Sequence, residues 1–189
     1  MKELKPAILL FLIFTVLCGG VYPALITGIA SVAFPGQAGG SILIDANRRE
    51  IGSALIGQPF SAPGYFWPRP SATADFPYNP LYSGGSNLGP SNPALLEAVA
   101  GRVKELRVSG GAGTVPAELV EASASGLDPD ISRQAAEFQV SRVALARGVG
   151  ADEIRRMVTL YTKDRQLGFL GEPRVNVLQL NLALDAAYK

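Results

Sequence analysis

The pattern of apolar and polar positions divides the chain into one long, uninterrupted apolar segment and a longer part in which the two kinds of residue are mixed. No charged side chain occurs between Lys5 and Asp45, and residues 7–34 are almost wholly apolar. A helix of about 20 apolar residues crosses the hydrocarbon core of a bilayer, so this segment is long enough to span it with some tilt. The sequence therefore predicts a transmembrane anchor helix over residues 1–34 and a soluble domain over residues 35–189.

A cleaved signal peptide is the competing interpretation of the amino-terminal segment. Lys2 and Lys5 fit its basic start, and residues 31–33 resemble a cleavage site. However, the apolar run is longer than the roughly 7–15 residues of a signal peptide. It also carries Tyr22 and Pro23 near its middle. An uncleaved anchor is therefore the preferred interpretation.

The distribution of charge around the apolar segment predicts its orientation. Lys2 and Lys5 precede the segment, opposed only by Glu3, whereas no lysine or arginine follows it until Arg48. Positively charged flanks of membrane spans tend to stay in the cytoplasm. We therefore expect a cytoplasmic amino terminus and an extracytoplasmic body.

Small residues within the apolar segment are spaced like a helix-packing face. Gly20, Ala24 and Gly28 recur at every fourth position. Such a stripe lets two helix backbones approach closely in lipid. Pro23 removes one backbone donor from the same segment, which predicts a kink whose freed carbonyl needs neighbouring protein. The alternative is a lone helix that simply tolerates its glycines.

Shorter patterns of strand and helix period in the rest of the chain predict one mixed α+β domain. Residues 42–44 and 51–56 are predicted to form a hairpin. Asn92 followed by Pro93 is typical of the start of a helix. The inward-facing positions of that helix are predicted at Leu95, Leu96, Val99, Val103 and Leu106.

The carboxyl-terminal half predicts two further helices and one ambiguous segment. Asp128 is expected to cap a helix that has Pro129 in its first turn and ends near Arg147. Its inward residues are predicted at Ile131, Ala135, Phe138 and Leu145. A second helix is predicted over residues 151–163. The pattern over residues 174–187 is compatible with either a strand or a helix.

The segment from Gln58 to Pro93 is rich in proline, glycine, serine, asparagine and aromatic residues. A segment this long with little regular structure is usually functional or disordered, and the aromatic content favours order. It is the predicted partner-contact surface. The candidate contact residues are Tyr65, Phe66, Arg69, Ser83, Gly84, Gly85 and Asn87.

Composition argues against independent catalysis and against a dedicated metal site. The chain has no histidine, its one cysteine is Cys18 in the apolar segment, and its formal net charge is +1. The commonest general base and metal ligand are therefore missing, and no lysine follows a serine at the spacing of a serine–lysine dyad. The scattered basic residues give no nucleic-acid footprint. We predict no catalytic residues, no bound metal and no nucleic-acid partner.

Several local motifs resemble one known family. They are Gly19-Gly20-Val21-Tyr22-Pro23, residues 52–58, Tyr65-Phe66 with Arg69-Pro70-Ser71, residues 85–93, residues 123–128, Gln139 with Arg142-Val143-Ala144, and residues 175–185. Together they resemble the C subunit of the Kdp-type potassium-transporting ATPase, and the resemblance runs nearly end to end.

The resemblance implies a non-catalytic accessory subunit of a high-affinity, ATP-driven potassium uptake complex in the bacterial inner membrane. The implied partners are a channel-like potassium-selecting subunit, a P-type ATPase subunit and a small single-span subunit. Potassium would be the transported ion, and the chain would have no cofactor of its own. The family is described as a catalytic chaperone that raises the affinity of the ATPase subunit for ATP. On that description Gln139 is the implied nucleotide contact, and Ser83-Gly84-Gly85 resembles the core of a transporter signature motif.

Two further interpretations stand beside the chaperone role. A body exported behind a cytoplasmic amino terminus cannot touch ATP, which favours docking on the potassium-selecting subunit near the ion entrance. Outside transport altogether, the chain could be a single-span extracytoplasmic module that binds a protein or a glycan.

Overall fold

The structure is a computed structural model that describes residues 3–45, 48–111 and 113–188. The chain divides into two compact units, which we describe separately. The first unit comprises residues 3–44 with 48–53, and the second comprises residue 45 with the described residues from 54 to 188. The predicted boundary after Phe34 between an anchor and a soluble domain remains a prediction.

The first unit is dominated by one apolar helix over Leu4–Ala33, which is, in the part of the chain described, the one helix long and apolar enough to cross a bilayer. It consists of α1 (Leu4–Val16), a π-helical turn (Leu17–Val21) and α2 (Tyr22–Ala33). The backbone N–H of Tyr22 donates to the carbonyl of Leu17, five residues earlier. Pro23 follows at once and cannot donate, so the wider turn lies where the proline interrupts the regular bonding pattern.

After the long helix come the short α3 (Pro35–Ala38) and a two-stranded hairpin. Strand β1 (Ile42–Ile44) pairs antiparallel with β2 (Glu50–Ser53). The predicted hairpin is therefore correct, but its return strand ends at Ser53 rather than at residue 56. The Ser53 hydroxyl donates to the carbonyl of Gly40 at 2.7 Å.

The second unit begins its regular structure with α4 (Pro93–Val108). Asn92 caps this helix as predicted, since its side-chain oxygen accepts from the backbone N–H of Ala94 at 3.0 Å. Leu106 is buried and Val103 half-buried. Leu96 is exposed, so its predicted inward position is wrong. The helix packs only part of its apolar stripe against the rest of the unit.

The predicted start of the next helix at Asp128 is wrong. Residues Asp130–Ser132 form strand β3, and helix α5 follows over Arg133–Arg147. Ser132 caps the helix instead, because its hydroxyl accepts from the N–H of Ala135 at 3.1 Å. The predicted end at Arg147 is correct. Leu145 is 86% exposed, which contradicts its predicted inward position.

Residues beyond α5 resolve the ambiguous carboxyl-terminal pattern. Helix α6 covers Ala151–Leu160, three residues shorter than predicted, because β4 (Thr162–Lys163) follows it. The segment over 174–187 is both a strand and a helix, β5 (Arg174–Asn176) and then α7 (Val177–Ala187). Strand β5 lies between β3 and β4 in an antiparallel sheet.

The core of the second unit lies where α5, α6 and α7 pack against the three-stranded sheet. Apolar burial of this kind is the main source of its stability. The largest fully buried apolar side chains are Phe66, Ile131, Ile154, Leu178, Leu180, Leu184, Val140, Val143, Val158, Val175 and Val177. The mixed α+β class predicted from the sequence is confirmed.

Candidate functional site

The amide side chain of Gln139 on α5 holds the backbone of Trp67. Its oxygen accepts from the N–H of Trp67 at 2.7 Å, and its nitrogen donates to the carbonyl of Trp67 at 3.0 Å. The same amide bonds to the Ala135 carbonyl and to Arg142. Gln139 is buried, and its hydrogen-bonding groups are all used within the chain.

Asn181 on α7 holds the neighbouring Phe66 in the same way. Its oxygen accepts from the N–H of Phe66 at 2.8 Å, and its nitrogen donates to the Phe66 carbonyl at 3.0 Å. Two side-chain amides on two helices thus replace the ladder that a neighbouring strand would give residues 66 and 67. Buried backbone groups need such partners, so this segment can lie in the core without a strand beside it.

Two arginines of α5 complete this arrangement. Arg142 donates to the carbonyls of Pro63 and Tyr65 at 2.6 and 3.0 Å, and its guanidinium lies 4.0 Å from the centre of the Trp67 ring. Burial lowers the pKa of Arg142 to about 10, which leaves it charged at neutral pH. Arg147 donates to the Gly64 carbonyl at 2.6 Å. We call the side chains of Gln139, Arg142, Arg147 and Asn181 the polar clamp.

Tyr65 extends the clamp to the end of α7. Its hydroxyl donates to the Asp185 carboxylate at 3.0 Å, and this bond raises the pKa of Tyr65. Asp185 also pairs with Arg147 at 2.8 Å. Residues 63–67 are therefore fixed to both helices.

A second fixed point lies around Tyr78, which is buried. Its hydroxyl donates to the carbonyl of Arg69, and burial raises its pKa above the usual value. Arg69 in turn pairs with Asp128 at 3.0 Å. Gly57 fits against this corner only because it lacks a side chain, since a Cβ there would lie 2.4 Å from Cε1 of Tyr78.

Hydrogen bonds from hydroxyl and backbone groups brace residues 71–85, the segment that contains Tyr78. Ser71 Oγ accepts from the N–H of Tyr78 at 2.9 Å and donates to the carbonyl of Gly126 at 2.7 Å. Thr73 Oγ1 accepts from the N–H of Asn79 at 3.1 Å. The N–H of Gly84 donates to the carbonyl of Ser125 at 2.8 Å. A segment with little regular structure is thus held in one shape by side-chain bonds.

This braced segment carries three large apolar side chains that face away from the core. Leu81 is 83% exposed, and Phe76 and Tyr82 are more than half exposed. We call Phe76, Leu81 and Tyr82 the aromatic knob. Asp75 and Tyr78 both have positive φ angles, +67° and +62°, which is strained backbone for residues with side chains. Strain held by surrounding bonds is typical of functional segments.

The predicted contact residues fall into two groups. Tyr65, Phe66 and Arg69 belong to the internal supports, and Phe66 is fully buried. Ser83 and Asn87 are exposed, and Gly84 and Gly85 lie partly exposed alongside residues 123–125. The aromatic knob was not singled out from the sequence. The partner-contact role of the predicted residues remains a prediction.

The residues tied to nucleotide binding by the resemblance have other observed environments. Gln139 belongs to the polar clamp and is buried, rather than lying on the helix surface. Ser83-Gly84-Gly85 runs beside residues 123–125, with the N–H of Gly84 already bonded. A nucleotide contact by Gln139 remains an untested prediction.

The clamp residues could have been recognised partly from helical spacing. Gln139 and Arg142 follow the predicted inward residues Ala135 and Phe138 by four positions each, which places them on the same helix face. The partners of that face, residues 63–67, lie more than seventy positions earlier in the chain. Spacing therefore indicates burial but not the partner.

The predicted packing stripe of the long helix is exposed in its own unit. Among the described residues, a Cβ on Gly20 or on Gly28 would meet no heavy atom within 4 Å beyond its chain neighbours and the backbone of its own helix, and Ala24 is exposed. Gly20 lies in the π-helical turn and Ala24 and Gly28 lie in α2.

The described residues define a protein with one long apolar helix and an α+β body whose braced segment carries exposed apolar side chains. A sequence model of the KdpC family, described as the K+-transporting ATPase c chain, matches residues 4–186. The potassium-transporting ATPase KdpC subunit of Geobacter sulfurreducens is 65% identical over 185 residues, which cover 98% of each chain. That of Geotalea uraniireducens is 64% identical over the same length and coverage. That of Sorangium cellulosum is 57% identical over 189 residues and 99% of each chain.

The chain belongs to the KdpC family. It is therefore an accessory subunit of a K+-transporting ATPase and not the catalytic subunit. Among the described residues, the one helix long and apolar enough to cross a bilayer fits a single-pass membrane protein of a transport complex. Membership of this family excludes the alternative interpretation, a single-span protein- or glycan-binding module unrelated to transport.

Proposed function

We propose that this subunit crosses the inner membrane once, with its amino terminus in the cytoplasm, and that its body docks outside on the potassium-selecting subunit near the ion entrance. There it stabilises the complex and shapes access of the ion. The P-type ATPase subunit and a small single-span subunit complete the assembly. The relatives are potassium-transporting ATPase KdpC subunits, which supports membership of such a complex.

The observation that carries this topology is the charge distribution around the one long apolar helix. Lys2 precedes it and Lys5 lies in its first turn, and no basic residue follows until Arg48. Cytoplasmic flanks are enriched in such residues. In this arrangement the body cannot reach cytoplasmic ATP. The occupied amide of Gln139 is consistent with that, since it offers no free group to a nucleotide.

Cysteine labelling tests the topology directly, because Cys18 is the only cysteine of the chain. In a Cys18→Ala background, Leu145→Cys introduces a thiol at an exposed position of the body that lies outside the aromatic knob. A membrane-impermeant maleimide should label it in intact cells. The matched variant Glu3→Cys, before the helix, should be labelled only after lysis. Labelling of the two sites in the opposite order would place the body in the cytoplasm and would favour the ATP-chaperone role.

The aromatic knob is the proposed docking surface. Exposed aromatic and apolar side chains on a rigid support are enriched at the centres of protein interfaces, because little conformational entropy is lost when they are buried. The bonds from Ser71, Thr73 and Ser125 hold the knob in position before any partner binds.

Copurification tests the docking surface. Leu81→Asp combined with Tyr82→Asp should reduce recovery of the other pump subunits at least tenfold in mild detergent, because two charges would be buried at the interface. Leu145→Asp is the matched control, since Leu145 is equally exposed on α5 of the same body. If the Leu81→Asp, Tyr82→Asp double variant and the Leu145→Asp control recover the other pump subunits equally well, the knob is not the docking surface.

A further inference from the structure

The π-helical turn in the long helix leaves one backbone carbonyl without a donor from the helix itself. In a regular α-helix the carbonyl of Cys18 accepts from the N–H of Tyr22, but here that N–H donates to the carbonyl of Leu17. The π-helical donor would be the next residue, which is Pro23 and has no N–H. Both donors that helical bonding offers to Cys18 are therefore missing.

Other groups of the same helix do not replace these donors. Thr15 and Ser31 each donate a hydroxyl to the carbonyl four residues earlier, at 2.7 and 2.8 Å. Gly19 and Gly20, directly after Cys18, carry no side chain. Among the described residues, a Cβ on either glycine would meet no heavy atom within 4 Å beyond its chain neighbours and the backbone of its own helix. The backbone beside the Cys18 carbonyl is therefore open to a neighbouring molecule.

The position of Cys18 along the helix determines what surrounds this carbonyl. Cys18 lies halfway between Leu4 and Ala33, the two ends of the apolar helix. In a helix that crosses a bilayer, the midpoint lies at the centre of the hydrocarbon core, where water is absent. A carbonyl left without a hydrogen bond is strongly unfavourable there, because acyl chains contain no donor. The carbonyl therefore requires a donor from another protein helix.

We propose that the Cys18 carbonyl accepts a hydrogen bond from a hydroxyl or carboxamide side chain on a transmembrane helix of another subunit of the pump. Hydrogen-bond complementarity indicates this partner, since a carbonyl only accepts and the side chains that donate between membrane helices include those of serine, threonine, asparagine and glutamine. Gly19 and Gly20 allow the partner backbone to approach closely, so a short side chain can reach the carbonyl. The bond defines one register between the two helices, which packing on glycines alone does not.

Carbon-13 NMR of the Cys18 carbonyl tests the proposal. Cys18 is the only cysteine of the chain, so cell-free synthesis with cysteine labelled at its carbonyl carbon marks this one group. The chemical shift is measured for the full chain in phosphatidylcholine vesicles, alone and after assembly with unlabelled pump subunits. A carbonyl carbon that accepts a hydrogen bond resonates downfield of a free one. The signal should therefore move downfield on assembly.

Two proline variants of the long helix sharpen the measurement. Pro23→Ala restores a helical donor to Cys18, through Tyr22 in an α-helical pattern or through residue 23 in a π-helical one. Its signal should lie downfield already in the isolated chain and should not move on assembly. Pro6→Ala is the matched control, because backbone N–H groups in the first turn of a helix have no helical acceptor. Its signal should behave like that of the parent.

Three results would overturn the proposal. In the first, the parent signal stays upfield on assembly. In the second, it already lies downfield in the isolated chain. In the third, it moves downfield as the amount of the chain alone per lipid increases, which would identify a second copy as the donor.

This inference rests on the proposed crossing of the bilayer by the long helix, and it does not depend on which side the body occupies or on the aromatic knob. A soluble gadolinium chelate separates the two, because it relaxes only carbons that water can reach. Relaxation of the Cys18 label in the isolated chain would overturn the membrane crossing and this inference together. A label that is not relaxed and does not shift on assembly would overturn this inference alone.

Discussion

Gln139 and Trp67 are joined by a two-way hydrogen bond in which one side-chain amide satisfies both backbone groups of a residue seventy-two positions away. The pairing imitates one rung of a β-ladder. Asn181 repeats it on Phe66, so two helices together hold a segment that has no strand beside it. The braced segment over residues 71–85 follows directly after these supported residues.

Replacing Gln139 by leucine is expected to lower the stability of the body by about 2 kcal/mol or more, because it leaves the N–H and C=O of Trp67 buried without partners. Thermal unfolding of the full chain in detergent measures this. Gln134→Leu is the matched control, since Gln134 is exposed on the same helix.

The same variant distinguishes two roles of Gln139, support of the Trp67 backbone and the nucleotide contact that the family resemblance implies. We expect assembled pump that contains Gln139→Leu to keep an unchanged dependence on ATP concentration. A weaker apparent affinity for ATP at unchanged stability would instead support a nucleotide contact at Gln139.

Alkaline pH should weaken the body through Tyr78, whose pKa is raised above its ordinary value of 10 by burial. Above pH 10 the unfolded state releases the phenolic proton before the folded state does, so stability falls as pH rises. Tyr78→Phe removes this group and a hydrogen bond worth about 1 kcal/mol. The variant should therefore be less stable than the parent at pH 8, and the gap should narrow at pH 11. Tyr82→Phe, at an exposed tyrosine, is the control, and a constant gap would contradict the assignment.

Gly57→Ala should destabilise the body by about 1–3 kcal/mol, the usual effect of overpacking. Its Cβ would lie 2.4 Å from the Tyr78 ring and 2.7 Å from the carbonyl of Asp128, and neither neighbour can yield easily. Gly64→Ala is the control, because its Cβ would make ordinary contacts of 3.6 Å or more. Equal melting temperatures for the two variants would show that the corner is loosely packed.

The small-residue stripe of the long helix predicts a packing face. Gly20→Ile combined with Gly28→Ile should reduce copurification of the other pump subunits, because bulky side chains keep helix backbones apart in lipid. Ala33→Ile changes an exposed small residue on the opposite face and should leave recovery unchanged. If the double variant yields the intact complex, the stripe is not an interface.

Local sequence patterns were sufficient to predict the long apolar helix, the hairpin over residues 42–53, the cap at Asn92 and the end of α5 at Arg147. Each of these depends on neighbours within a few positions, through an uninterrupted apolar run, a turn, a cap or a glycine. The motifs of the KdpC family were also recognisable in the sequence. The start of α5 was not predictable in this way, because pairing of residues 130–132 with β5 converted the expected first turn of a helix into a strand.

The sequence alone therefore determined the long apolar helix, the first hairpin and the mixed α+β class. The absence of histidine from the chain and of cysteine from the body argued against catalytic and metal-binding roles. Only the tertiary structure decided that Gln139, Arg142 and Asn181 serve the backbone of residues 63–67, and that Phe66 is buried while Leu81 and Phe169 are exposed. The reason is physical, because a polar side chain on a helix face finds its partner through packing between distant segments, and helical spacing carries no information about that partner.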